Sequence, residues 1–217
     1  MDVADARVSG AYWSTMLGWR LEMHDDGDAH LRDDDGRIQV WLNVVPEPKT
    51  VKNRVHLDVF AESVRRGLDA GATVLAEYPR WTTLADPDGQ EHCIFVRDEV
   101  TTRPYELGWD CIEGAQASHD LAAWWAEVLG GVVVDHEEHG YSWIEQIPEC
   151  PWESIDYAGV PEPKTVKNRV HIDVRTDDLD ALLAHGATVL RRKGDGGLRW
   201  TVLADPQGNE FCAFTAD

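Results

Sequence analysis

The chain has 217 residues, 43% of them hydrophobic, with ten Trp and a formal net charge of −20. Such an acidic field repels nucleic acid and anionic membrane surfaces, and no apolar run approaches the roughly 18 residues of a membrane span. Met1-Asp2-Val3-Ala4-Asp5 lacks the basic start and apolar core of a secretory leader, and Cys93, Cys111, Cys150 and Cys212 show no CxxC spacing, so free thiols in a reducing cytoplasm are expected.

Ser9 to Leu17 reads as an amphipathic helix stopped by Gly18. Trp19 to Met23, Ala29 to Arg32 and Arg37 to Val45 read as strands separated by Asp/Gly-rich turns. A Pro-containing link leads into a strand over Arg54 to Phe60. Glu62 to Ala70 reads as a helix ended by Gly71. Strands over Thr73 to Glu77, Trp81 to Ala85 and Gln90 to Val96 follow, the last two joined by the turn Asp86-Pro87-Asp88-Gly89. After the linker Asp98 to Pro104 the order restarts with a strand near Leu107 to Ile112 and a helix over Asp120 to Leu129. The unit is therefore strand, helix, three strands.

This order is duplicated. The twelve residues from Val45 to His56 recur letter for letter from Val160 to His171, and Leu84-Ala85-Asp86-Pro87 is matched by Leu203-Ala204-Asp205-Pro206. Two domains are expected, residues 1–99 and 104–217. The first has its opening strand cut to Met1-Asp2-Val3. The second carries an insertion near 149–159, because Trp143 to Pro148 aligns with Trp41 to Pro46 and the repeat resumes at Val160. Cys150, Trp152 and Tyr157 in that insertion either pack it down, the favoured reading, or make it a lid over a pocket.

Strand alternation sorts the signature residues. Val55, Leu57 and Val59 form an apolar face toward the helices, which leaves His56 and Asp58 on the other face with Glu91 and Cys93. The second copy places His171 and Asp173 with Glu210 and Cys212. Three readings are open: an internally hydrogen-bonded polar set, a metal site, and a polar anchor in a ligand pocket. Trp41, Trp81, Trp143 and Trp200 lie on strands beside this face and could stack a planar ligand. Trp13, Trp124 and Trp125 lie on helices and read as core. Lys49, Lys52 and Arg54, with Lys164, Lys167 and Arg169, read as ion-paired residues that fix the link. His24, His30, His136 and His139 read as solvated residues of acidic turns.

The strand Arg54-Val55-His56-Leu57-Asp58-Val59, the Asp-Pro-x-Gly turn before the last strand and the paired strand–helix–three-strand plan resemble the vicinal oxygen chelate superfamily of glyoxalase I, extradiol dioxygenases and bleomycin-resistance proteins. The long repeated motif looks like its glyoxalase-like branch, common in actinobacteria. The resemblance implies an α+β fold of tandem glyoxalase-like domains, each of paired βαβββ modules forming a curved, partly open sheet with helices outside. It implies a ligand at His56 and at His171, where metal-dependent members carry one. At the position of the superfamily's Glu stand Cys93 and Cys212, with Glu91 and Glu210 two residues earlier.

The leading expectation is a cytoplasmic protein that binds a small organic ligand in a Trp-lined concavity, needs no cofactor and takes neither nucleic acid nor membrane as partner, with homodimerisation left open. Its site comprises His56, Asp58, Trp41, Trp81, Glu91, Cys93, His171, Asp173, Trp143, Trp200, Glu210 and Cys212. The alternative is a lyase, isomerase or dioxygenase holding Fe, Mn, Ni or Zn through His56, Glu91, His171 and Glu210. The second domain is the better candidate for activity. No nucleophile–His–acid set or phosphate loop is recognisable.

Overall fold

A computed structural model describes residues 1–136 and 138–215. Glu137 and the last two residues of the expected second domain lie outside it. The elements in order are β1 (Asp2–Val3), α1 (Ala6–Leu17), β2 (Arg20–Met23), β3 (Ala29–Arg32), β4 (Ile38–Val44), β5 (Val55–Ala61), α2 (Arg65–Asp69), β6 (Thr73–Glu77), β7 (Thr82–Ala85) and β8 (Glu91–Val96). They continue as β9 (Pro104–Ile112), α3 (Ala115–Leu129), β10 (Val132–His136), β11 (Tyr141–Glu145), β12 (Ser154–Val160), β13 (Asp173–Arg175), α4 (Leu179–Ala184), β14 (Thr188–Arg191), β15 (Thr201–Ala204) and β16 (Glu210–Phe214). The fold is α+β, and among the described residues no helix is long and apolar enough to cross a membrane.

The strands fall into repeats of one module, with orders β1-β4-β3-β2, β5-β8-β7-β6, β9-β12-β11-β10 and β13-β16-β15-β14. In the first, second and fourth the opening strand runs parallel to the module's last strand, and the rest is an antiparallel meander. The chain divides into two compact units. One is Met1–Gly108 with Pro151–Glu153, and the other is Trp109–Cys150 with Ser154–Asp217.

Met1-Asp2-Val3 is enough to fill the first strand position. Asp2 and Val3 pair with Asn43 and Val44, the terminal amine donates to the Trp41 carbonyl at 2.8 Å, and Val3 is fully buried. α1 starts at Asp5, whose carboxylate accepts the Arg7 and Val8 N–H groups, and stops at Gly18 in the left-handed region, whose N–H returns to the Ser14 carbonyl. Its inner face carries Tyr12, Trp13, Met16 and Leu17, all nearly inaccessible.

The Asp-Pro-x-Gly turn joins the last hairpin of each unit to a helix. Asp86 Oδ1 accepts the Asp88 and Gln90 N–H groups, and its Oδ2 accepts Trp13 Nε1–H at 2.9 Å. In the second unit Asp205 accepts from Gln207, Asn209 and Trp125 Nε1. Trp13 and Trp125, read from the sequence as helix core, thus add an indole donor to each buried turn carboxylate.

One expected boundary moves. The segment near 149–159 is not a whole insertion: Ser154–Val160 is β12, the last strand of the third module, and pairs with β11. The extra residues are those between β11 and β12. The correct alignment counts back from Val160 without a gap, so Asp156 stands at the position of Trp41 and pairs with Trp143. Tyr157 is fully buried as a strand residue, not as loop packing.

Candidate functional site

α1 packs on β2, β3 and β4, and α3 packs on β10, β11 and β12, one face of the sheet in each case. The other face carries the polar signature residues, because the alternating Val55, Leu57 and Val59 are drawn to the core.

In the first unit the parallel β5–β8 ladder covers Val59 to Ala61 against Ile94 to Val96. One step earlier the Asp58 side chain enters the ladder, and its Oδ1 accepts the Cys93 N–H at 2.6 Å and lies 2.7 Å from His56 Nδ1. The carboxylate thereby orients the imidazole. The His56 ring lies flush on the backbone of β9, where a Cβ at Gly108 would sit 2.1 Å from its Cε1. Cys93 Sγ is 3.5 Å from Thr83 Oγ1, and burial first, then the Asp58 carboxylate, push the thiol well above its ordinary range. It is a neutral, inert thiol at working pH.

The second copy differs despite its identical approach sequence. Here the Cys212 N–H takes the Ile172 carbonyl at 3.2 Å, an ordinary ladder bond. The Asp173 carboxylate is therefore not drawn into the sheet and keeps 39% of its side-chain exposure. His171 Nε2 lies 3.4 Å from Cys212 Sγ and 3.5 Å from Asp173 Oδ1, so nitrogen, sulfur and oxygen converge. Burial, then the neighbouring Asp173, push the Cys212 thiol up to about 12.

Glu91 and Glu210 stand apart from both clusters. Glu91 Oε1 accepts from Lys49 Nζ at 2.7 Å and its Oε2 from the Asn53 N–H at 3.1 Å. Glu210 repeats this with Lys164 at 2.8 Å and Asn168 at 3.1 Å. The carboxylate beside each histidine is Asp58 or Asp173, and the two glutamates clamp the duplicated link to the start of the last strand.

The four tryptophans expected on strands are distributed over four places, and Trp81 and Trp200 stand one residue before β7 and β15. Trp81 stacks between Tyr78 (4.8 Å, 25°) and Phe95 (5.9 Å, 28°), and Phe95 meets Tyr105 edge-on at 4.6 Å. These residues line a cavity of about 340 Å³. Phe95 lies two residues beyond Cys93 on the same face of β8, roughly 6–7 Å along the strand. Trp200 lies 5.3 Å from Phe214 at the corresponding place in the second unit. Trp143 donates to Glu145, and Trp41 packs against His24 and His30.

Those histidines are a correction to the sequence reading. His30 is 5% exposed on β3, with Nε2 2.9 Å from Glu22 and Nδ1 2.7 Å from His24 Nε2. The turn composition around it hid the alternation of Ala29, Leu31 and their neighbours, which places His30 on the helix-free face. A further cavity of about 330 Å³, lined by His119, Asp135, His136, Tyr141 and Ser142, contains none of the expected site residues. Ser142 and His119 both bond Asp135 and not each other, so the histidine does not activate the serine. His136 and His139 stack in parallel at 4.6 Å, one half-buried and the other exposed.

The profile of the family described as a glyoxalase-like domain matches residues 1–95 and 110–214. Among solved structures, glyoxalase I from Zea mays is similar over 99% of this chain and 89% of its own, with TM-score 0.66 and 12% identity. The cppA protein from Streptococcus pneumoniae TIGR4 is similar over 100% of this chain and 96% of its own, with TM-score 0.54 and 11% identity. At such identities the likeness shows the fold alone. No curated protein matches the sequence significantly.

Proposed function

The chain belongs to the glyoxalase-like domain family, within the vicinal oxygen chelate superfamily, and we propose that it binds a small organic ligand on the helix-free sheet face of its first unit. The observation that carries this is the cavity of about 340 Å³ lined by Tyr78, Trp81, Phe95 and Tyr105. Ligand pockets are concavities of roughly 300 Å³ and upward with a few fixed polar groups. The rings supply the apolar wall. Arg80, Thr82 and Arg97 supply polar groups in its lining.

The superfamily's divalent metal does not fit the first unit. His56, Asp58 and Cys93 offer atoms within 4.8 Å of one another. However, the Asp58 oxygen nearest the histidine is already shared by an amide and the imidazole. An oxygen-rich octahedral shell is absent from that donor set. The test is spectroscopic. Titrating the full chain with a panel of one- and two-ring compounds is expected to move the indole N–H resonance of Trp81, identified by its loss in Trp81→Phe. If no compound moves it, the ligand-binding reading falls.

The second unit favours a second reading. Edges of 3.4 Å from nitrogen to sulfur and 3.5 Å from nitrogen to oxygen match the roughly 3.3–3.6 Å expected around a tetrahedral zinc ion. His171, Asp173 and Cys212 fit three ligands of such an ion. Bound there, it would supply Lewis-acid polarisation of a ligand oxygen. Metal analysis of protein purified without chelator or nickel resin is expected to give at most one zinc per chain, lost in His171→Ala and kept in His56→Ala. Loss in His56→Ala instead would overturn this assignment.

A further inference from the structure

We infer that the ligand of the first unit is a planar aromatic acid, its ring against the Tyr78–Trp81–Phe95 stack and its carboxylate on Arg80 and Arg97; this rests on the ligand-binding reading of that face. Both arginines line the cavity beside the rings. In a chain of net charge −20 they are exposed cations, and among the described residues neither forms an ion pair. Arg97 sits with its guanidinium 4.7 Å above the Phe60 ring, which holds the head near the cavity without neutralising it. The other basic residues near this site are committed: Lys49 to Glu91 and Arg103 to Glu62.

The charge pattern selects the ligand class. A guanidinium pair attracts a planar carboxylate and can bind it in forked fashion, and it repels an aromatic cation. The ring chain selects against aliphatic acids. Tyr78, Trp81 and Phe95 form one stack with neighbouring planes within 28° of parallel, and a flat group can extend it from an outer face. The volume of about 340 Å³ suits a one- or two-ring acid. The pair is particular to the first copy: Arg80 recurs as Arg199 in the shared Arg-Trp-Thr run, whereas the second copy has Ala216 at the sequence position of Arg97.

Calorimetric titration of the full chain with 2-naphthoate, 2-naphthylmethanol and cyclohexanecarboxylate tests it, with the Trp81 indole resonance reporting the site. Naphthoate is expected to bind about tenfold more tightly than either control. The exposed double substitution Arg80→Gln/Arg97→Gln is expected to remove that advantage over the alcohol. Equal binding of naphthoate and the alcohol, or a double variant that binds naphthoate like the wild type, would overturn the acid assignment and leave the ligand site standing. Equal binding of cyclohexanecarboxylate would overturn the aromatic assignment. If none of the three moves Trp81 while another neutral compound does, the class is wrong and the site is right; if nothing moves it, both fall.

Discussion

Gly108 decides where the His56 ring can lie. The ring is pinned between the Asp58 carboxylate at 2.7 Å and the β9 backbone, and an added Cβ would sit 2.1 Å from Cε1 and 2.6 Å from Nε2. The ring cannot yield without losing Asp58, so Gly108→Ala is expected to cost about 1–3 kcal/mol as an overpacking substitution. Denaturant titration measures this. Gly108→Ala/His56→Ala is expected to recover most of the loss, because the clash is with the imidazole alone. A double variant as unstable as Gly108→Ala would place the strain elsewhere. Nothing in the sequence marks this glycine, since its partner is 52 residues away in a different strand and the close approach exists only once the sheet is formed.

At the scale of elements, the strands bounded by Asp/Gly turns were legible because turn chemistry and alternation are local. Ala29 to Arg32 and Thr73 to Glu77 fall where the structure has β3 and β6. The truncated β1 was legible only as a gap, since two paired residues carry no periodicity. β12 was misplaced because Trp143 resembles Trp41 in letter, whereas register counts residues back from the shared link and puts Asp156 there. The polar face of β5 and β8 followed from alternation, including the company of His56, Asp58 and Cys93. Alternation gives a face and not a bond. It could not show that the Asp58 carboxylate replaces a backbone acceptor, or that Lys49 and Asn53 occupy Glu91. The cavity was legible through Trp81 alone. Tyr78 and Tyr105 join it from a turn and from β9, and such convergence needs the tertiary fold.

Across the whole molecule, duplication has kept the frame and altered the interior, and acid should separate the two copies. Both units bury a turn carboxylate whose burial raises it, Asp86 to about 6 and Asp205 in the same direction. Between pH 6 and 4 the folded Asp86 holds a proton that the unfolded chain releases, so this group strengthens both units as pH falls. The first unit also buries a histidine in the core behind that turn. His92 takes the place of Phe211, hydrogen-bonds the Tyr12 hydroxyl at 2.7 Å, and is pushed down to about 3 by burial. Its neutral form is the folded one. The unfolded chain takes a proton below about pH 6.5, so the stability present at neutral pH is lost as pH falls through that value toward 3, by up to about 1.4 kcal/mol per pH unit. The second unit, with Phe211 packed against Trp124 and Trp125, has no such loss. Hydrogen exchange is therefore expected to show β8 amides losing protection relative to β16 amides between pH 6.5 and 4. Tyr12→Phe/His92→Phe removes the imidazole together with the hydroxyl that would otherwise be stranded. Its stability relative to wild type should rise steadily as pH falls, and the gap between the two strands should close. A gap that persists in that double variant would assign the acid sensitivity to another group.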